Sequence, residues 1–494
     1  MAMALPDQLD AARIAGNDDY REMKPFWQYY EDHYDGGPDY GQKTNPLSLT
    51  GAFPSIGRTR GSELGAGRYI PSFDLEGPDG YRRRLESAVF LDLCAPVVDF
   101  YAATVGNPEN IMLTDLSKEM EAFRDDIDRQ GRDFYQFMTD CRTSAFIYGH
   151  TFILVDQPAP SAPLLTAADE QRAGLRPYCV EIEPDHMLDW TLDATGRPIS
   201  ILYQVEADGV DEYREMTTTD WAAYRKKDKE YVKVAEGVNT LGRVPVVPLF
   251  HKREDPFKGC SGLKNAARCA QKATNWLSQL DQAMERQMFA QMWVKSRTKP
   301  AEMGVSSDFA LHLNPEGGED VGFVAPPTAP LEFVWTMIER LAARCNWAMG
   351  LGKATAATAG ADGGGSDNQS GVAKQWDMFR AINIMKRMAL YEQEAAKGIF
   401  EFAGLWMNKP FQGSITYSTT YNLSTLAEDI DNLIKAQAAQ LPRSAIRESM
   451  KRVIEKMLTS MSPDVRAEID LELDNATMED SLAAGADMSG AVGQ

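Results

Sequence analysis

The chain has 494 residues and a formal net charge of −21, from 51 Lys and Arg against 72 Asp and Glu, a balance that argues against a protein gripping nucleic acid over its whole surface. Its apolar share of 44% and charged share of 25% are those of soluble globular proteins, and its length exceeds one ordinary hydrophobic core, so at least two folding units are expected. The six cysteines (Cys94, Cys141, Cys179, Cys260, Cys269, Cys345) form no CxxC pair, which speaks against a zinc site or disulfide framework and for reduced, mostly buried thiols. The opening MAMALPDQLDAARIAG is too polar for a secretory signal, and the best apolar stretch, 145–155, is short and contains His150. Neither a cleaved export signal nor a membrane span is expected.

Residues 1–65 are rich in Asp, Tyr, Gly and Pro and carry one helical pattern, at 18–33. Residues 81–106 predict a helix with Leu85, Ala88, Val89, Leu91 and Val98 inward, Asp92 and Asp99 outward, and an interruption at Pro96. A helix over 116–148 and a buried strand over 151–155 follow. Between 176 and 250, alternation at 178–182, 199–205 and 231–234, with turns at Ala194-Thr195-Gly196 and Asp208-Gly209, predicts a small, mainly antiparallel sheet. The first half reads as α+β.

Residues 263–294 contain neither Pro nor Gly, enough for about 48 Å of helix. Apolar positions recur at Leu263, Ala266, Ala270, Ala273, Leu277, Leu280, Met284 and Met288, the three-and-four spacing of one buried stripe. The other face carries Lys264, Arg268, Lys272, Gln279, Gln282 and Arg286. Charge is unevenly spread, since residues 251–299 hold ten Lys or Arg against four Asp or Glu. A Pro- and Gly-rich insert, 295–328, has strand candidates at 309–313 and 321–324. A second helix starts after Pro330 and ends at Gly350, with Leu331, Val334, Trp335, Ile338, Leu341, Ala342 and Cys345 as its apolar stripe. A loop of small residues, 351–371, leads into a long helix over 372–407, with Gly398 and Gly404 as weak points. A strand at 414–421, short helices at 426–440, 442–458 and 463–473, and a loose tail at 481–494 complete the chain.

Motifs for catalysis are missing. Gly350-Leu351-Gly352-Lys353-Ala354-Thr355 resembles a phosphate-binding loop, but Trp347 stands where its first glycine belongs, Ala354 where Ser or Thr belongs, and a helix rather than a strand precedes it. There is no GxSxG elbow, HExxH or dinucleotide fingerprint. His33, His150, His186, His251 and His312 are widely separated, which makes a histidine metal site improbable, and His150 reads as a satisfied, partly buried residue. Glu181 with Glu183, and Asp185 with Asp189 around His186, could hold a hard cation, but strand edges and turns explain them better. A non-enzymatic protein without cofactors is the expectation. The glycine-rich loop between two long helices is uncommon as a mere connection and is expected to be functional.

In their order along the chain, several segments resemble those of tailed-bacteriophage portal proteins, the rings at the head vertex. They are Arg68-Tyr69-Ile70-Pro71 with the helix at 83–106, GHTFILVDQP at 149–158, Arg176-Pro177-Tyr178 with its continuation to Asp189-Trp190, VPVVPLF before the long helix, and Ser370-Gly371-Val372-Ala373-Lys374. The resemblance covers roughly residues 65–475 and implies a helix-rich α+β fold with a wing (1–250 and 371–421), stem helices (251–290 and 329–350), a small clip (291–328), a tunnel loop (351–370) and a helical crown with C-terminal tail (422–494). It further implies a homo-oligomer of about twelve copies, in the virion and before that in the host cytoplasm. Double-stranded DNA would pass through it, and its partners would be the large terminase, a head-completion or tail adaptor, and the capsid and scaffolding proteins. The implied DNA-facing candidates in the tunnel loop are Lys353, Thr355, Asp362, Gly363, Gly364, Gly365, Asp367, Asn368 and Gln369; on the stem they are Lys264, Arg268, Lys272 and Arg286. Lys295, Arg297, Lys299, Phe309, His312 and Glu316 are the implied docking candidates on the clip. Another head-to-tail adaptor or a scaffold ring is the alternative reading. If the loops form a collar that regulates DNA, deleting Gly363–Gly365 is expected to alter packaging or DNA retention while rings persist, as read by packaged DNA per particle; unchanged packaging and retention would remove that role.

Overall fold

The computed structural model describes residues 5–49, 67–73, 76–158, 175–207, 209–287, 291–295, 320–324, 329–351, 371–419, 421, 426–439 and 442–457, with 465, 468–469 and 471–472. Two compact units are present, Met1–Thr420 and Tyr421–Gln494. Helices and strands are mixed, so the fold class is α+β as expected.

The larger unit opens with strand β1 (Gln8–Leu9) and helices α1 (Ala11–Ile14), α2 (Asp18–Asp35) and α3 (Pro46–Leu49). Helix α2 starts where the Asn17 side chain accepts from the Asp19 N–H and stops at Gly36, whose φ of 59° few other residues adopt. Its buried face is aromatic: Tyr20, Trp27, Tyr29 and Tyr30. The helix expected over 81–106 is two, α4 (Pro78–Ser87) and α5 (Ala95–Gly106). The break lies ahead of Pro96, which sits in the first turn of α5, where a missing N–H costs nothing. Strand β2 (Ile111–Thr114) precedes α6 (Lys118–Asp125) and α7 (Phe134–Tyr148). The single helix expected over 116–148 is interrupted because Arg129 and Gly131 take left-handed conformations and Asp133 caps a new helix by accepting from the Gln136 N–H.

Strands β3 (His150–Asp156), β4 (Tyr178–Ile182), β5 (Met187–Leu192), β6 (Pro198–Ala207), β7 (Val210–Thr217), β8 (Asp220–Lys227), β9 (Glu230–Val238) and β10 (Val246–Phe250) follow, with the short hairpin β11 (Arg253–Asp255) and β12 (Lys258–Gly259). They form an antiparallel six-stranded sheet, β1-β9-β8-β7-β6-β5, and a three-stranded one, β10-β3-β4. The sheet is larger than the alternation at 178–182, 199–205 and 231–234 suggested, because β7 and β8 carry charges between their apolar positions. Gly196 and Gly209 turn with φ of 81° and 74°; Asp208 lies outside the described residues.

Beyond the sheets come α8 (Ala266–Gln287), β13 (Gln291–Lys295), β14 (Asp320–Val324), α9 (Ala329–Ala348), α10 (Gly371–Trp406) and β15 (Ser414–Tyr417), which pairs with β2. The rod expected over 263–294 shortens to the 22 residues of α8. Residues 253–259 form the β11–β12 hairpin, and Gln291–Lys295 pair with Asp320–Val324 instead of prolonging the helix. Freedom from Gly and Pro permits a long helix but does not compel one where a strand partner exists. Gly398 and Gly404 do not weaken α10. A Cβ on Gly398 would lie 3.2 Å from Val247, and one on Gly404 2.6 Å from the Lys409 carbonyl, so both glycines admit close neighbours. The strand expected over 414–421 ends at Tyr417, and the 309–313 candidate lies outside the described residues. The smaller unit contains α11 (Leu426–Ala438) and α12 (Arg443–Met457), matching the helices read at 426–440 and 442–458. Of the one expected at 463–473 only scattered residues are described, and the 481–494 tail lies outside them.

Two polar features pin the core. Arg142 of α7, 2% exposed, donates to both oxygens of Glu392 on α10, one contact being 2.7 Å, and Tyr417 of β15 donates to the same carboxylate at 3.1 Å. His33, His150 and His251 are fully buried, so His150 is more enclosed than its sequence setting suggested. His150 meets Tyr20 and accepts from the Gly259 N–H, and His33 lies between Tyr29 and Tyr40. Burial lowers His33 to about 4 and His150 and His251 to about 3.

Glu392→Ala leaves Arg142 charged in the core and is expected to cost about 3–5 kcal/mol in urea unfolding, whereas Arg142→Met with Glu392→Leu is expected to recover most of it. The neutral histidines stabilise fully above the unfolded value near 6.5; below it the unfolded chain takes up protons first, and stability falls toward pH 3–4. Half-exposed Glu31, raised to about 7 by burial and by Glu183, Asp35 and Asp185, acts in the opposite sense between its ordinary range and about 7. A His150→Gln chain isolates one term: between about pH 4 and 6 its stability–pH slope is expected to be shallower by up to about 1.4 kcal/mol per unit, checked by urea titrations.

Candidate functional site

The region with the clearest built geometry is the helical hairpin α8–α9. Leu263, Ala266, Ala270 and Ala273 are buried along one side of α8 and its approach. Ala273, Leu280 and Ile338 form the shared core, backed by Leu277, Leu331, Val334 and Leu341. Small alanines let the backbones approach: the Cys345 thiol of α9 lies 3.5 Å from the Ala266 carbonyl and 3.9 Å from that of Leu93. The stripe fails at two places. Met284 and Trp335, expected inward, are 48% and 50% exposed, because Met284 lies near the hairpin tip and Trp335 turns sideways to donate to Glu339 at 2.7 Å.

The body grips the opposite side of α8 through polar contacts. Gln271 and Asn275 both donate to the Tyr69 carbonyl, Gln282 donates to that of Gly80, and Tyr29 donates to Gln271. Arg84, fully buried, donates to Ser278 and to both Glu76 oxygens at 2.7 Å. At the far end, β13 and β14 pair from Gln291↔Val324 to Lys295↔Asp320. At the near end, Tyr101 donates to the Met349 carbonyl, Gly350 turns with φ 91°, and the Arg380 guanidinium of α10 lies 4.4 Å from the Trp347 ring centre. The Trp347 end of α9 is thereby tied to α10 at Arg380. No local sequence signal announced the Trp347–Arg380 contact, which joins two helices 33 positions apart in register.

Lys264, Arg268 and Lys272 are exposed as a stripe, with Lys272 4.8 Å from the Trp276 ring centre. The Arg286 side chain lies outside the described residues, as do Lys353, Thr355, Asp362, Gly363, Gly364, Gly365, Asp367, Asn368 and Gln369. Of the clip candidates only Lys295 is described, exposed and opposite Asp320; Arg297, Lys299, Phe309, His312 and Glu316 are not. Glu183, Asp185 and His186 do gather on the β4–β5 turn, with ligand atoms within 4.8 Å of one another, but each is partly exposed, and Asp189 pairs with Arg13 at 2.9 Å instead. No described helix is long and apolar enough to cross a membrane.

No family model matches the chain, and no curated protein matches it. Solved structures similar to it include a chain from the neck of an empty GTA particle computed with C6 symmetry, at 13% identity and TM-score 0.43, covering 74% of this chain and 95% of that one. Others come from the virion of a native gene transfer agent (GTA) particle, at 13% identity and TM-score 0.42 over 74% and 91%, and from the neck of a native GTA particle computed with C12 symmetry, at 11% and 0.39 over 71% and 87%.

Proposed function

We propose that this chain is a portal-type ring protein of a tailed-phage-like virion: identical copies close around a hole, and the α8–α9 hairpins make its wall. The observation that carries this reading is an unfinished surface. The hairpin leaves Met284, Phe333, Trp335 and Trp347 between 47% and 65% exposed along helices already packed against each other on their inner sides. Burying one such side chain is worth about 1.5–3 kcal/mol, so several of them in water, spread over the hairpin's outer faces, favour association. Neighbouring hairpins in a ring would cover them. The order of segments shared with portal proteins supports the same reading.

On this reading 1–250 with 371–421 form the wing, the hairpin the stem, 291–328 the clip, 351–370 the tunnel loop and 422–494 the crown. Double-stranded DNA passes during packaging and ejection, a separate terminase supplies the energy and docks on the clip, and a tail adaptor later takes its place. The net charge of −21 suits a conduit, because each neutralised phosphate adds salt-sensitive adhesion and a tight grip would stall transport.

Purified protein is expected to give closed rings, near twelvefold, in negative-stain images and native mass measurement. Phe333→Glu with Trp335→Glu is expected to shift rings to monomers while the far-UV spectrum stays unchanged. A wild type that stays monomeric at assembly concentrations would defeat the proposal.

A further inference from the structure

The hairpin separates its charges by flank. With Leu280 and Ile338 as the facing pair in its core, and 100° per residue, Asp281 and Glu285 of α8 and Glu332 and Glu339 of α9 fall roughly 100–140° to one side. Antiparallel helices share that sense of rotation, so the four carboxylates lie on one flank. Lys272, Arg344 and Arg340 fall roughly 80–160° the other way. Arg344, like Arg268 and Lys272, lowers the Cys269 thiol against the rise that burial causes. Among the described residues none of these seven side chains is in an ion pair. The Arg340 Nε is buried without a hydrogen-bond partner. Crowding with Glu285 adds to burial in raising Asp281 above its usual range.

We infer that the acidic flank of one hairpin docks on the basic flank of a second copy, so that the basic stripe faces a neighbouring subunit and not the bore. The inference rests on the ring reading and names its contact. Two different, complementary faces on one chain make a head-to-tail contact, the kind that closes into rings, whereas a self-complementary patch would stop at a dimer. Glu339 and Arg340, adjacent in sequence, lie at the same height on opposite flanks, so rotation about an axis along the hairpin brings them level. Each flank also carries an exposed aromatic ring, Trp335 beside the acids and Phe333 beside the bases. Charge then sets the register while apolar burial supplies affinity.

The test is a charge exchange in the full chain, with ring fraction read by native mass measurement and folding by far-UV melts. Arg340→Glu with Arg344→Glu is expected to lower the ring fraction about tenfold, and Asp281→Lys with Glu339→Lys to do the same. All four changes together are expected to restore it to within roughly twofold of wild type. Normal rings from either reversed pair, or a folded fourfold variant without rings, overturns the inference. If a reversed pair does not fold, Arg340→Gln with Arg344→Gln is read instead. Its ring fraction is expected to lose the NaCl dependence of wild type between about 50 and 300 mM, and an unchanged dependence overturns the inference. A monomeric wild type would instead sink the ring reading itself, whereas wild-type rings indifferent to these changes would sink only the flank contact.

Discussion

The larger unit is organised by the two-sided grip on α8. One side is alanine and leucine against α9, where the absence of bulk brings the Cys345 sulfur within 3.5 Å of a backbone carbonyl. The other is a row of amides and hydroxyls, Gln271, Asn275, Ser278 and Gln282, that satisfies carbonyls of residues 69 and 80 and the Arg84 guanidinium. Apolar burial alone would allow a helix to slide or roll. Directional hydrogen bonds from one face set its rotation, and that rotation decides which charges look outward.

Helix α10 is fixed by a different device. Its 36 residues are ordered in mid-length by the buried Arg142–Glu392 pair, which also collects Tyr417. A buried ion pair adds little net stability over well-packed apolar residues, yet it forbids other registers, because any slip leaves two charges unpaired in the core. With α10 so registered, Arg380 reaches Trp347 of α9.

The excess of acid over base has a similar spatial logic. Spread evenly, −21 would make copies repel one another. On the ring reading, setting Lys272, Arg340 and Arg344 on one flank of the hairpin and Glu332 and Glu339 on the other would favour close approach in one orientation and resist others.

Helical periodicity was enough to read α2, α9, α11 and α12 and most of α10, because an apolar stripe at three-and-four spacing has few other ways to be buried. Strand pairing was less legible. Residues 291–295 look as helical as 263–287 until Asp320–Val324 appear beside them, since a strand's stability lies in a partner distant in sequence. The basic residues Lys264, Arg268 and Lys272 were visible as a stripe, but not that Arg340 and Arg344 of α9 fall on the same flank of the hairpin, which needs the facing pair Leu280 and Ile338. By itself the sequence determined the elements whose burial is local and periodic and the acidic balance. Only the tertiary structure decided where the rods end, which way each turns and which polar groups meet in the core. Those depend on contacts such as Arg142–Glu392 and Gln271–Tyr69, made between residues hundreds of positions apart, that no local pattern encodes.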